Sequence, residues 1–222
     1  MCKLVSSAHL ENYETFLFDL DGTLVDTKEM IYICFKEVLS RFFSIDVLEE
    51  DVYKYIGLTY RQQLEQYSGP ISDELFEEVV KFHKIHQNSI AHSYIKLTPG
   101  AKELIPFLKD KGKNLAVVTN RLIESTKDYL CFLGIYDYFS FCITPNEVFR
   151  PKPDPESINL AIKRFNTTAN KTIFVGDSLY DVVAGNAARV TTIFTSWNDL
   201  NYPYEEGHPT YIVNSLHELI WA

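Results

Sequence analysis

Beyond Thr98-Pro99-Gly100 the chain alternates between helical and strand-like stretches, and this rhythm leaves few architectures open. Residues 101–109, 123–133, 155–165 and 179–189 carry helical spacing. Residues 115–119, 139–143, 172–176 and 191–194 are short apolar runs of strand character. Strands separated by helices imply a parallel sheet with helices on both of its faces. A further run at residues 15–18 has the same character and joins that sheet across an intervening segment. Residues 26–96 lack strand alternation: Ile31, Phe35, Val38 and Phe42, then Leu75, Val79, Phe82 and His86, recur at spacings of three and four. Gly57 and Ser68-Gly69-Pro70 divide this region, and Ser72-Asp73-Glu74 opens its third helix with a hydroxyl and two acids. The predicted fold is α/β: a Rossmann-like parallel sheet core with helices on both faces, residues 1–25 and 97–222, and an inserted all-helical cap, residues 26–96. A length of 222 residues suits one such core carrying an insertion.

Charge and cysteine usage narrow the function classes. A formal net charge of −9 argues against nucleic-acid binding, which calls for a basic surface. It leaves small phosphorylated ligands open, because local dipoles and a metal can reverse the field inside a cleft. No apolar run approaches the roughly 20 residues of a membrane helix. The first residues, Met-Cys-Lys-Leu-Val-Ser-Ser, lack the apolar stretch of a secretory signal. Cys2, Cys34, Cys131 and Cys142 are scattered without metal-like spacing, which points to buried free thiols in a reducing cytoplasm.

Four polar clusters carry the chemistry, and three directly follow apolar runs, the edge at which open α/β sheets bind ligands. Asp19-Leu20-Asp21-Gly22-Thr23 ends the first run, Thr119-Asn120 follows residues 115–118, and Gly176-Asp177-Ser178 with Asp181 follows residues 172–175. The fourth is Lys152, set between Pro151 and Pro153. Carboxylates emerging at a strand end suit a hard cation such as Mg²⁺, which prefers oxygen ligands. Gly22 lets the backbone turn sharply there.

With these four motifs in order, the chain resembles the haloacid dehalogenase superfamily, and within it the phosphatases of the phosphoglycolate phosphatase type. The second acid, Asp21, is what resembles phosphatases and mutases rather than the dehalogenases. The resemblance implies a Mg²⁺-dependent phosphatase acting on a small phosphorylated metabolite, phosphoglycolate being the default. Asp19 would be the nucleophile that forms an aspartyl phosphate and would share its other oxygen with Mg²⁺. Asp21 would lend its backbone carbonyl to the metal and its side chain as acid and base, Asp177 would be a further metal ligand, and Lys152 would neutralise charge. Thr119 and Asn120 would donate to the phosphoryl group. Asp181, one helical turn past Asp177, would stand behind, holding Asp177, Lys152 or a metal-bound water. The alternatives are a phosphosugar mutase of the β-phosphoglucomutase type and a non-catalytic phosphometabolite-binding protein. A cytoplasmic monomer or weak homodimer without nucleic-acid or membrane partners completes the expectation.

Other residues have simpler roles open to them. His83 and His86 lie three apart, with His92 beyond, but no carboxylate completes a metal site, so packing or surface roles fit them. In related capped phosphatases the loop matching Gly57-Leu58-Thr59-Tyr60-Arg61 reaches the substrate, which marks Arg61 or Tyr60 as a contact to its non-reacting end. An interhelical turn with a solvated Arg is the competing reading. Arg150 has two candidate partners, an acidic substrate tail and Asp154. Residues 198–208 read as a surface loop before a last strand, Tyr211–Val213, and a closing helix through Leu216, Leu219 and Ile220.

Overall fold

The computed structural model describes residues 3–4, 7–197 and 207–221. Cys2 and most of the loop anticipated at residues 198–208 lie outside the described residues. The strands are β1 (Lys3–Leu4), β2 (Thr15–Phe18), β3 (Val25–Asp26), β4 (Lys96–Leu97), β5 (Asn114–Val118), β6 (Phe141–Ile143), β7 (Thr172–Gly176), β8 (Thr191–Thr195) and β9 (Tyr211–Val213). The helices are α1 (Lys28–Phe43), α2 (Glu49–Tyr53), α3 (Tyr60–Ser68), α4 (Asp73–Tyr94), α5 (Ala101–Asp110), α6 (Ile123–Phe132), α7 (Glu156–Phe165) and α8 (Leu179–Ala187).

Seven strands form one parallel sheet in the order β1-β9-β8-β7-β2-β5-β6. The pleat sends alternate residues of a strand to opposite faces. Phe16 and Phe18 of β2 pack with Leu104 and Leu108 of α5 and Leu130 of α6. Leu17, between them, packs on the other face with Ile158 and Ala161 of α7 and Ala184 of α8. Burial on both faces is why the strands read as continuous apolar runs. Strand β2 lies between β7 and β5, so the ends of three strands converge at the middle of one sheet edge.

Helices α1 to α4 lie between β3 and β4, which pair antiparallel in a two-stranded ribbon separate from the main sheet. Helix α1 ends at Ser44, whose left-handed backbone (φ 56°) turns its N–H back to Ser40 and closes the last turn. Helix α4 starts as its sequence requires: the Ser72 hydroxyl accepts the Leu75 N–H at 3.2 Å. Phe35 meets Tyr60 and His83 edge-on, and Phe42 meets Phe82, so rings knit the helical layer together.

Several expectations are corrected. The inserted region has four helices, since Ser44 adds a break that no Gly or Pro announces. The closing helix is a single 3-10 turn, Leu216–Leu219, because a spacing of three fits three residues per turn as well as it fits an α-helix. Cys34 and Cys142 are buried free thiols, but Cys131 is exposed on α6.

Candidate active site

The Asp19 N–H donates to the Val175 carbonyl at 2.9 Å, continuing the β2–β7 ladder by one residue before the chain leaves the sheet. The chain then turns tightly: the N–H groups of Leu24 and Val25 both return to the Leu20 carbonyl. Gly22 sits in this turn at φ 76°, and a Cβ there would lie 1.9 Å from Oδ2 of Asp177, so only glycine brings the loop this close to the neighbouring strand end. Thr23 crosses the same gap, its hydroxyl donating to Asp177 Oδ1 at 3.2 Å.

Asp19, Asp177 and Asp181 offer carboxylate oxygens within 4.8 Å of one another, and all three residues are buried. Lys152, itself buried, donates from Nζ to Asp19 at 2.5 Å and to Asp181 at 2.6 Å. The other Asp181 oxygen accepts from the backbone and hydroxyl of Ser178, the cap of α8, so the carboxylate is fixed by its own helix start. Burial dominates the electrostatics. It pushes Asp19 up to about 7, with Lys152 opposing and Asp181 and Asp21 reinforcing the rise. Burial also raises Asp177 well above the carboxylate range, helped by Asp19 and Asp181. Burial alone would lower Lys152, but Asp181 and Asp19 outweigh it and hold the ammonium above its ordinary range. Fully ionised, the three carboxylates against one ammonium would leave two negative charges uncompensated, the charge of one divalent cation. An all-oxygen, buried donor set of this charge fits Mg²⁺.

Thr119 directly follows β5, its N–H donating to the Ile143 carbonyl. Neither Thr119 nor Asn120 caps the next helix, which begins at Ile123 behind Leu122. The Asn120 side chain instead ties two loops together. Its amide donates to the carbonyls of Gly57 (2.8 Å) and Lys152 (2.9 Å), and its oxygen accepts the Lys152 N–H.

Arg121 carries no motif of its own in the sequence. Its guanidinium grips the Asp21 carboxylate with contacts of 2.8 to 3.0 Å, while the Thr27 hydroxyl donates to the same group at 2.7 Å. Asp21 raises Arg121 above its ordinary range against the lowering effect of burial. The one available signal was its place directly after Thr119-Asn120.

Asp19, Asp21, Thr119, Asn120, Arg121, Tyr60 and Arg61 all line one cleft of about 650 Å³ under the helical layer. Arg61 is held by Asp73 at 2.7 Å and Glu65 at 3.5 Å. His83 stacks on Tyr60, His86 on Phe82, and His92 pairs with Asp128 at 2.9 Å over Phe132. Arg150 is exposed and pairs with Asp154 and Glu156.

A parallel sheet whose central strands end in buried carboxylates, with one ammonium among them and helices on both faces, is the architecture of a hydrolase with an acidic site at the sheet edge. The chain belongs to the haloacid dehalogenase-like hydrolase family, whose profile matches residues 16–195. It is 32% identical to the pyrophosphatase PpaX of Bacillus velezensis over 181 residues, 82% of each chain. A predicted phosphoglycolate phosphatase from Haemophilus somnus superposes with a TM-score of 0.83 at 22% identity, covering 94% of this chain and 96% of that one. β-Phosphoglucomutase from Clostridium difficile gives 0.81 at 20% identity, covering 94% of each. At such identities these structures share the fold. Among the described residues no helix is long and apolar enough to cross a membrane.

Proposed function

We propose that this protein is a Mg²⁺-dependent phosphatase of a small phosphorylated metabolite, working through an aspartyl phosphate on Asp19. The observation that carries this reading is the convergence of Asp19, Lys152, Asp177 and Asp181 at the end of the central strands, beneath a cleft with room for an organic phosphate. The pyrophosphatase relative and the second acid, Asp21, support phosphate chemistry over carbon–halogen cleavage.

A phosphate monoester repels nucleophiles with its own charge, so its oxygens must be neutralised while an attacker is aligned. Asp19, Asp177 and the Asp21 carbonyl would hold Mg²⁺, which when bound supplies positive charge beside the phosphoryl oxygens. The free oxygen of Asp19 attacks phosphorus in line with the leaving alcohol. Lys152, clamped by Asp181, presents its ammonium to Asp19 and the incoming phosphoryl group. Thr119 and the Asn120 backbone bind a phosphoryl oxygen, and Asn120 keeps the Lys152 loop in register. Asp21 acts as acid and then as base through Oδ2, toward the ester oxygen and later toward water, while Arg121 and Thr27 keep hold of Oδ1.

In this reading residues 26–96 act as a cap over a core of residues 1–25 and 97–222, with the β3–β4 ribbon as the junction, and Arg61 faces the leaving-group side. The negative charge and the chemistry suit a cytoplasmic protein working on free metabolites, as a monomer or weak homodimer. The test is phosphate release from a panel of phosphorylated metabolites with Mg²⁺ and with excess chelator. Turnover that depends on Mg²⁺ and is lost in Asp19→Asn supports the reading. Full activity in chelator removes the metal, and normal turnover by Asp19→Asn removes the nucleophile.

A further inference from the structure

The arginines lining the cleft are already engaged by carboxylates of this chain, and the His92 ring is too. Arg121 is bound to Asp21, Arg61 to Asp73 and Glu65, and His92 to Asp128. Lys84 lines the cleft as an exposed side chain, where solvent and salt screen its charge. His83 is no cation near neutral pH, since burial, with Arg121 and His86 adding to it, pushes its pKa down to about 3. Glu124 and Asp128 add acids to the same lining. A leaving group that carries its own phosphate or carboxylate therefore enters a space where it must break an existing ion pair, meet only the solvent-screened Lys84, or remain unpaired.

Much of the remaining wall is apolar and ring-bearing, with Gln63, Gln87 and Asn88 as uncharged polar groups among it. Tyr60 and His83 stack at 4.3 Å, Phe35 meets Tyr60 at 5.3 Å, and Phe76 lies 6.1 Å from Tyr60. Ile31, Ile56 and Val80 fill the gaps. A volume of about 650 Å³ lies within the range that encloses drug-sized molecules, far more than glycolate or a second phosphate needs.

We propose that the leaving-group side of this site takes a phosphate monoester of an uncharged, ring-bearing alcohol of nucleoside size, in preference to pyrophosphate or a carboxylate-bearing ester. This rests on the phosphatase reading above and adds the identity of the group released. The ring lies against the aromatic wall of α3 and α4 while the phosphate reaches the carboxylate cluster.

The experiment compares kcat/KM with Mg²⁺ for uridine 5′-monophosphate, glycerol 3-phosphate, phosphoglycolate and pyrophosphate. Three of these release primary alcohols and pyrophosphate has the better leaving group, so a ring preference cannot come from intrinsic reactivity. Uridine 5′-monophosphate should exceed each of the others by at least tenfold. Equal or better turnover of any of the other three overturns the inference and leaves the phosphatase reading standing. Calorimetry on Asp19→Asn reads the same preference without turnover: uridine 5′-monophosphate should bind at least tenfold more tightly than pyrophosphate, and the reverse order overturns the inference. Absence of turnover on all four by wild type, with that binding preference intact, would overturn the phosphatase reading alone. Val80→Lys places a cation on the partly exposed apolar wall, and should raise the pyrophosphate-to-uridine-monophosphate ratio of kcat/KM at least fivefold. An unchanged ratio counts against the wall as the selector.

Discussion

Arg121 and Asp21, 100 residues apart in the chain, form the paired contact that joins the loop after β2 to the loop after β5. Both side chains are largely sealed from water, with relative exposures of 10% and 14%. Removing one partner of such a pair leaves an uncompensated charge, which typically costs about 3–5 kcal/mol. Arg121→Met should destabilise the protein by an amount of that order in urea unfolding. Adding Asp21→Asn should recover much of the loss, which a double-mutant cycle measures as coupling. A single-variant loss below about 1 kcal/mol would place the pair in the weak, solvated class.

Asp19→Asn keeps the shape of the side chain and leaves Lys152 its bond to Asp181. Turnover should fall by a factor on the order of 10³ or more, as for loss of a nucleophile. Stability should respond differently. The folded protein holds the Asp19 proton up to about 7 against 3.8 for the free group, so this residue's contribution to stability declines as pH rises from about 4 to about 7. In chelator, thermal melts of wild type minus Asp19→Asn should show that decline. A difference independent of pH would mean that the buried charge is compensated in some other way.

The strands and their polar ends were legible because burial on both faces forces apolar runs, and a carboxylate at the end of one stands out. Asp19, Thr119 and Asp177 were placed at strand ends by that logic, and the structure puts them there. The β3–β4 ribbon and β1 gave no signal, since two-residue pairings leave no periodicity to read. Arg121 is illegible for a different reason. An arginine ahead of a helix resembles a solvated residue, and only the fold brings Asp21 to it. Asn120 likewise gave no hint that its side chain would bind the Gly57 and Lys152 backbones, because those partners lie 63 and 32 residues away.

Gly22→Ala tests whether the carboxylate cluster holds a cation, with a readout independent of turnover. Alanine at φ 76° costs about 1–2 kcal/mol for the left-handed backbone. Its methyl would also overlap Asp177 and push that carboxylate off Asp19. A ligand at 100 times its Kd stabilises a protein by about 2.7 kcal/mol, so millimolar Mg²⁺ should raise the wild-type Tm by several degrees. Gly22→Ala and Asp177→Asn should lose most of that rise. Equal Mg²⁺ shifts in all three proteins would place the ion elsewhere.

His83 supplies the opposite pH signature from Asp19. Its ring is stacked on Tyr60, its Nδ1 is buried without a hydrogen-bond partner among the described residues, and its pKa falls from 6.5 to about 3 on folding. The unfolded chain therefore binds an extra proton between these values, and the stability that His83 allows at neutral pH is lost as pH falls below about 6.5. At pH 5 the loss is about 2 kcal/mol, from about 1.5 pH units at 1.36 kcal/mol each. His83→Phe keeps a ring against Tyr60 and Phe35 but has no proton to take up. The stability difference, His83→Phe minus wild type, should therefore grow by about that amount between pH 7 and pH 5. Taking the difference cancels the Asp19 contribution, which is common to both proteins. A difference that stays flat over this range would mean that the imidazole gains its proton without leaving the ring stack.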